Sequence, residues 1–302
     1  MDEKELRELV RAVVVGALSG EATGATSSPT GVPVVPRDRH VAPQDVLLAK
    51  KAANWLGAGL PAPPVLMSWH AAGDRAMYLG KTPARLGVGS AGVRYRTDTI
   101  LRFLADHAAA RDAVASVVDP QVVASLGLVA LKSAAGDRTR FLRRPDLGRR
   151  LDDASREIVQ KKGVRGPQVQ IVAVDGLSAE ALTANLPKIL PTLNKELAAA
   201  GIRTGTPFLV NLGRVVCADE VARLTGAEVL LLLVGERPGL KTAESMGAYV
   251  TYMKVRQFNE AMRNVISNIH AGGLPPEEAV GGIIQNIRNA LRDKRTGVDA
   301  NR

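Results

Sequence analysis

Val169-Gln170-Ile171-Val172-Ala173-Val174, followed at once by Asp175-Gly176-Leu177-Ser178, decides the architecture. The run is almost wholly apolar and lacks the alternation of a half-exposed strand, so it reads as a strand buried on both faces. Ser178 is placed to cap a helix that carries Leu182, Leu186, Ile189, Leu190, Leu193 and Leu197 and stops at Gly201. Pro187 and Pro191 inside it predict a kink or a split. Phe208-Leu209-Val210 is a short strand, Asp219 to Leu224 a short helix, and Val229 to Val234 a second fully apolar strand. Tyr249 to Met253 reads as another strand. A last helix uses Ala279, Val280, Ile283, Ile284, Ile287 and Leu291, with Pro276, Glu277 and Glu278 in its first turn.

This β-α-β-α-β order predicts an α/β fold with a Rossmann-like parallel sheet over 166–302. Ligands of such sheets bind beyond the carboxyl ends of the strands. Three loops are expected to gather there: one from Asp175, one around Gly213-Arg214-Val215, and Gly235-Glu236-Arg237-Pro238-Gly239-Leu240.

Upstream, 37–165 reads as a mainly helical region. One helix is expected from about Ala42 to Leu56, before Pro61 to Pro64 interrupts regular structure. Thr97 is a candidate N-cap for a helix with Ile100, Leu101, Leu104, Ala108 and Val114 on one face, and His107 beside that stripe reads as a packed histidine. Asp146 is expected to cap a helix carrying Leu147, Leu151, Ala154, Ile158 and Val159, ended by Gly163. Gly87-Val88-Gly89-Ser90-Ala91-Gly92 matches the dinucleotide fingerprint by letters only. Lys81 to Arg85 is no buried strand and Val93 to Arg96 delays the helix, so the stretch reads as a glycine-rich loop.

Residues 1–36 read differently again. Leu6, Leu9, Val10, Val13, Val14 and Ala17 form one face of an amphipathic helix with acidic residues at its start. Gly20 to about Pro36 is a flexible Gly/Ser/Thr/Ala/Pro linker. Such a leader suits docking into another protein's groove, or folding back onto its own domain. It is acidic first, unlike a secretory signal, and no apolar run approaches the roughly 20 residues that span a bilayer, so no membrane association is expected.

Across 302 residues there are 40 basic and 30 acidic side chains, net +10. The excess sits in 81–167, with 17 basic against 9 acidic residues and a dense run of Arg138, Arg140, Arg143, Arg144, Arg149 and Arg150. It reads as a solvated basic face, a docking surface for an acidic partner, or a phosphate-holding patch. Aromatics at 3% weigh against a binder that stacks single-stranded bases. One cysteine excludes a disulfide framework and a cysteine-based zinc site. No Walker loop, H-E-x-x-H or G-x-S-x-G is present. His40, His70, His107 and His270 are too scattered to suggest a metal cluster, and Cys217, without an evident base, reads as a small buried hydrophobe. Glu236, Ser267 and Asn268 make an edge that binds but holds no evident nucleophile or acid–base pair.

Several segments resemble the small (light) subunit of ethanolamine ammonia-lyase: Thr82 to Gly89, Arg94 to Thr97, Ala105 to Asp112, Arg143 to Leu151, Asp175 to Ala179, Pro207 to Val210, Gly235 to Leu240 and Ile266 to Ile269. Met1 to Val14 also looks like that family's amphipathic leader, while 37–80 matches less clearly. The resemblance implies an adenosylcobalamin enzyme converting ethanolamine to acetaldehyde and ammonia. It implies that the large subunit holds the catalytic site, while this chain helps hold the cofactor's nucleotide tail and contributes no catalytic residue and no metal ligand. Cobalamin contacts carried over by motif fall at Val215, Glu236 and Val265, the last standing where the family commonly has cysteine. Without the resemblance, Val215 and Val265 read equally well as core residues and Glu236 as a surface or ion-pairing group. The implied organisation is a leader and linker over 1–36, a basic region over 37–165 docking on the large subunit, and a cobalamin-binding domain over 166–302. The leader implies packaging, through residues 1–19 on a shell or cargo partner, in the lumen of a bacterial microcompartment within the cytoplasm. Two other functions were open to the sequence: a basic nucleic-acid-binding module, which lacks a recognised binding motif, and a stand-alone nicotinamide enzyme, which the failed fingerprint argues against.

Overall fold

The computed structural model describes residues 90–256 and 258–297, with 78, 81, 84–86 and 88. The leader, its linker, the helix expected near 42–56 and the Pro61–Pro64 interruption lie outside the described residues.

The buried run became the centre of the sheet. Strand β4 (Val169–Val174) is buried at every position. It is flanked by β5 (Phe208–Asn211) and β6 (Val229–Gly235), both parallel to it. A two-residue ribbon, β1 (Ser90–Ala91) with β2 (Arg94–Tyr95), precedes the sheet and turns at Gly92, whose φ is +64°. The glycine-rich stretch therefore ends in a hairpin turn, not at a helix start. A strand that sequence reading did not assign, β3 (Val129–Lys132), adds in parallel to the outer side of β5.

The sheet departs from a wholly parallel one at its other end. Strands β7 (Met246–Tyr252) and β8 (Asn264–Ile269) run antiparallel, giving the order β3-β5-β4-β6-β7-β8. The reason is connection length. A parallel return needs a crossover of a dozen or more residues, commonly a helix, and only residues 236–245 join β6 to β7.

Helices α1 (Thr97–Ala115), α2 (Pro120–Ser125) and α3 (Arg138–Arg143) lie before the sheet's centre in the chain. Helix α4 (Asp153–Lys162) starts later than expected. Leu147–Arg149 forms a single 3-10 turn instead, and Leu151, buried in the core, bridges to Ser133. That bridge holds the chain extended, so Asp152 rather than Asp146 caps α4, accepting from Ser155 N–H at 2.8 Å. Gly163 ends it as expected.

Helix α5 (Ala179–Ala199) is continuous despite its two prolines. Ser178 caps it, its hydroxyl accepting from Ala181 N–H at 3.2 Å. Pro187 and Pro191 both face solvent, where water can satisfy the carbonyls they leave unpaired, while Leu186, Ile189, Leu190 and Leu193 lock the opposite face. Helices α6 (Cys217–Thr225) and α7 (Pro276–Asp293) complete the set.

Two apolar layers sandwich the sheet. On one face α5 and α7 pack on Ile171, Leu231, Leu233, Ala248 and Val250. On the other, α4 and α6 pack on Val172, Val174, Val210, Leu230 and Leu232. Helix α1 is the exception: Ile100, Leu101, Phe103 and Leu104 are 39%, 54%, 48% and 53% exposed. His107 is likewise exposed, not packed as expected, and its ring lies parallel to that of Phe103 at 6.4 Å. No described helix is long and apolar enough to cross a membrane.

Cys217 sits in the second layer with no exposed surface, and burial pushes its thiol well up. It is the chain's one cysteine, so it reports on that layer alone. A thiol reagent is expected to leave the native protein unlabelled and to label it only as denaturant opens the fold. Rapid labelling under native conditions would contradict the packing of α6.

Candidate functional site

The parallel strands β4, β5 and β6 deliver their carboxyl ends to one edge, and the three expected loops leave from there. Asp175 ties them together. Its side chain is 2% exposed, and Oδ1 accepts Gly213 N–H at 3.1 Å. Leu177 N–H donates to Gly235 O at 3.2 Å. Backbones touch here: a Cβ on Gly235 would stand 1.9 Å from Ser178 O, and one on Gly176 would stand 2.4 Å from Gly235 O. Gly176 also has φ +56°, a second reason for glycine.

Arg138, at the start of α3, reaches into this edge. It donates to Asp175 Oδ2 at 3.3 Å, to Gly176 O at 3.3 Å and to Ser116 O at 2.9 Å. Burial pushes the Asp175 carboxyl up, against the backbone N–H groups and the Arg138 charge, which favour its anion. Arg214 lies beside it, its guanidinium 4.1 Å from the centroid of the buried Phe141 ring and bonded to Phe141 O at 3.1 Å. Burial lowers the Arg214 pKa, and the like charges of Arg237 and Arg138 add to the effect. Its Nε is buried with no hydrogen-bond partner among the described residues. The arginine excess noted in the sequence thus enters the edge itself.

The three carried-over positions fall on or beside one face of the sheet, the face on which α6 packs. Val215 opens the turn into α6, is partly buried against that layer, and its carbonyl accepts from Ala218 N–H at 3.3 Å. Glu236 begins the loop after β6. Its N–H donates to Ser245 O at 3.0 Å and its Oε2 accepts the Ser245 hydroxyl at 2.6 Å. A Cβ on Gly247 would meet Glu236 Oε1 at 2.9 Å, so that glycine makes room for the carboxylate. Val265 lies on the outermost strand, β8, and is 52% exposed.

Tyr249 connects them and was not singled out from sequence as a site residue. It pairs across the sheet with Leu232 on one side and Val265 on the other, forming one row on one face. Burial raises its hydroxyl pKa, and the nearby charge of Glu236 adds to this. In β7 the buried positions of the first layer are Met246, Ala248, Val250 and Tyr252, so the strand's alternation is the one signal that turns Tyr249 to the other side. The row is an apolar floor whose open end is Val265, with a carboxylate acceptor on its rim. Such a surface suits a ligand with a flat ring and hydrogen-bond donors.

A cleft of about 500 Å³ opens beside the start of α6, lined by Asp146, Arg149, Arg150, Arg156, Val216, Glu220 and Arg223. Arg149 is engaged by Glu260 and Arg156 by Glu220. Elsewhere, His270 Nε2 pairs with Asn268 Oδ1 at 2.9 Å, away from any nucleophile named above. Among the described residues no three His, Cys, Asp or Glu side chains converge as for a metal ion.

Because Asp175 joins α3 to two strand ends, Asp175→Ala is expected to lower unfolding stability by about 3 kcal/mol, leaving Arg138 and Gly213 N–H without their partner. Denaturant unfolding measures this; a loss within about 0.5 kcal/mol, typical of an ordinary surface change, would contradict it.

Comparison with known proteins bears on the same segments. The family profile described as "Ethanolamine ammonia-lyase light chain (EutC)" matches residues 75–300. An ethanolamine ammonia-lyase small subunit from Fusobacterium nucleatum subsp. nucleatum is 48% identical over 222 residues, 74% of this chain and 75% of that protein. Small subunits of the same description from Listeria innocua and Listeria monocytogenes are each 44% identical over 229 residues, 75% of this chain and 78% of theirs. With three quarters of its length matched in this way, and the matched segments building the sheet and its loop edge, the chain belongs to the ethanolamine ammonia-lyase light chain family.

Proposed function

We propose that this chain is the small subunit of an adenosylcobalamin-dependent ethanolamine ammonia-lyase, working with a large subunit that carries out the conversion of ethanolamine to acetaldehyde and ammonia. The observation that carries the reading is the Leu232–Tyr249–Val265 row, open at Val265 and rimmed by Glu236 and the Val215 turn. The donor set fits a cobalamin nucleotide tail. Val215 and Val265 offer apolar contact to a flat base, and Glu236 offers a carboxylate acceptor already oriented by Ser245. When bound, the cofactor supplies the radical chemistry, through homolysis of its cobalt–carbon bond. This chain's part is to hold and to exclude water. In this reading the reacting groups belong to the large subunit. Since Val265 stands where the family commonly has cysteine, its contact is one of packing.

The large subunit docks on the basic region within 37–165. Two features support this: the arginine-rich surface around 138–150, and the exposed Leu101, Phe103 and Leu104 face of α1. The amphipathic segment 1–19 packages the complex by binding a shell or cargo partner of a bacterial microcompartment.

Co-expression with a large subunit tests the reading. Ethanolamine turnover is expected only when both chains and adenosylcobalamin are present, and unchanged turnover without this chain would refute it. Glu236→Ala is expected to weaken apparent cobalamin affinity about tenfold, the equivalent of one charged hydrogen bond, with little change in melting temperature. Equal losses of affinity and stability would assign Glu236 a structural role. A reporter fused to residues 1–19 is expected to co-purify with compartments; no enrichment would remove the packaging role.

A further inference from the structure

Val215 and Val265 belong to segments separated by a whole helix and two strands, yet one buried ion pair joins them. Asp219 lies in the first turn of α6, whose backbone N–H donates to Val216 O at 3.1 Å, so it is fixed to the turn that Val215 opens. Arg263 stands immediately before β8, two residues from Val265. Arg263 Nη2 donates to Asp219 Oδ2 at 2.6 Å, with the side chains 5% and 0% exposed. The guanidinium carbon also sits 5.0 Å from the Phe258 ring centroid, and Nη1 donates to Glu260 O at 3.3 Å.

This is a poor way to gain stability. Burial pushes the Asp219 carboxyl up, so desolvation opposes its charge. Asp219 Oδ1 and Arg263 Nε are both buried without a hydrogen-bond partner among the described residues. A half-satisfied buried pair is commonly matched or bettered in stability by apolar residues of similar volume. What the pair does supply is a fixed, directional link between the start of α6 and the residue that leads into an edge strand. That strand holds the sheet on one side only, and its register shifts between Met246 and Ala248.

We propose that Asp219 and Arg263 are positioning residues for the cobalamin surface: their bond sets where Val265 stands relative to Val215, and so the shape of the floor between them. This rests on the cobalamin reading above. Neither residue touches the ligand; both act through the segments they join.

The test uses the complex of both subunits, with hydroxocobalamin as the probe, its affinity followed by absorbance titration and melting temperature followed in parallel. Asp219→Asn and Arg263→Gln are each expected to weaken binding about tenfold, the usual cost of removing an outer partner of a binding group, and the double variant no more than either single one. The apolar pair Asp219→Leu with Arg263→Met is expected to keep the melting temperature yet still bind weakly, a separation that a merely structural pair would not give. Arg263→Lys, which keeps the charge, is expected to recover part of the affinity. Full affinity in the apolar pair, or losses that track melting temperature in every variant, would overturn the proposal. Glu236→Ala separates the two levels. If Glu236→Ala weakens binding and the ion-pair variants do not, the positioning role alone falls; if none weakens it, the cobalamin reading falls first.

Discussion

The Asp175 carboxylate, sealed at the end of the central strand, is the contact on which the rest of the edge depends. Without an acceptor there, the Gly213 N–H would be buried unpaired and the loop after β5 would have no reason to close against β4. Arg138 uses the same carboxylate to anchor a helix from the basic region, and it reaches the C-terminal end of α1 through Ser116 O. Glycine at 176 and 235 is the steric counterpart of that electrostatic choice. Carbonyl oxygens occupy the space where side chains would begin. The loop carrying Glu236 leaves from this junction, so the geometry of the rim is inherited from the strand ends and not from the loop's own sequence.

The second half of the sheet follows a different logic. Beyond β6 the chain returns by short connections, so β7 and β8 run antiparallel and leave one face of β8 uncovered. An edge strand with an open face is normally a liability. Here the uncovered row contains Tyr249 and Val265, and it lies next to the Glu236 carboxylate, which the Ser245 hydroxyl orients. The mixed topology is therefore what creates a surface, where a fully wound parallel sheet would have placed another covering helix.

Legibility in the sequence tracked burial. Strands β4 and β6 were plain because two covered faces demand uninterrupted apolar runs. The edge strands β3 and β8 were missed, because an edge needs only partial cover and Val129-Ala130-Leu131-Lys132 or Asn264-Val265-Ile266-Ser267-Asn268-Ile269 carries no continuous signal. Asp146 and Asp152 are equally good caps locally, and only the long-range Ser133–Leu151 bridge selects between them. The prolines of α5 follow the same rule: their cost depends on which side of the helix meets water. Of the site, the three loops were foreseen from strand order. Glu236, Val215 and Val265 came from the family resemblance; the register of Leu232, Tyr249 and Val265 fixes the face of Val265, and packing on the same layer that of Val215. The Asp219–Arg263 bond, between residues 44 apart, has no local signature at all.

Helix α1 has a consequence for how such a chain is made. Its uncovered row of Ile100, Leu101, Phe103 and Leu104 gives a newly synthesised copy a sticky surface until something occludes it. Surplus copies would meet one another before they met anything else, so a cell gains by producing this polypeptide in step with whatever shields that helix.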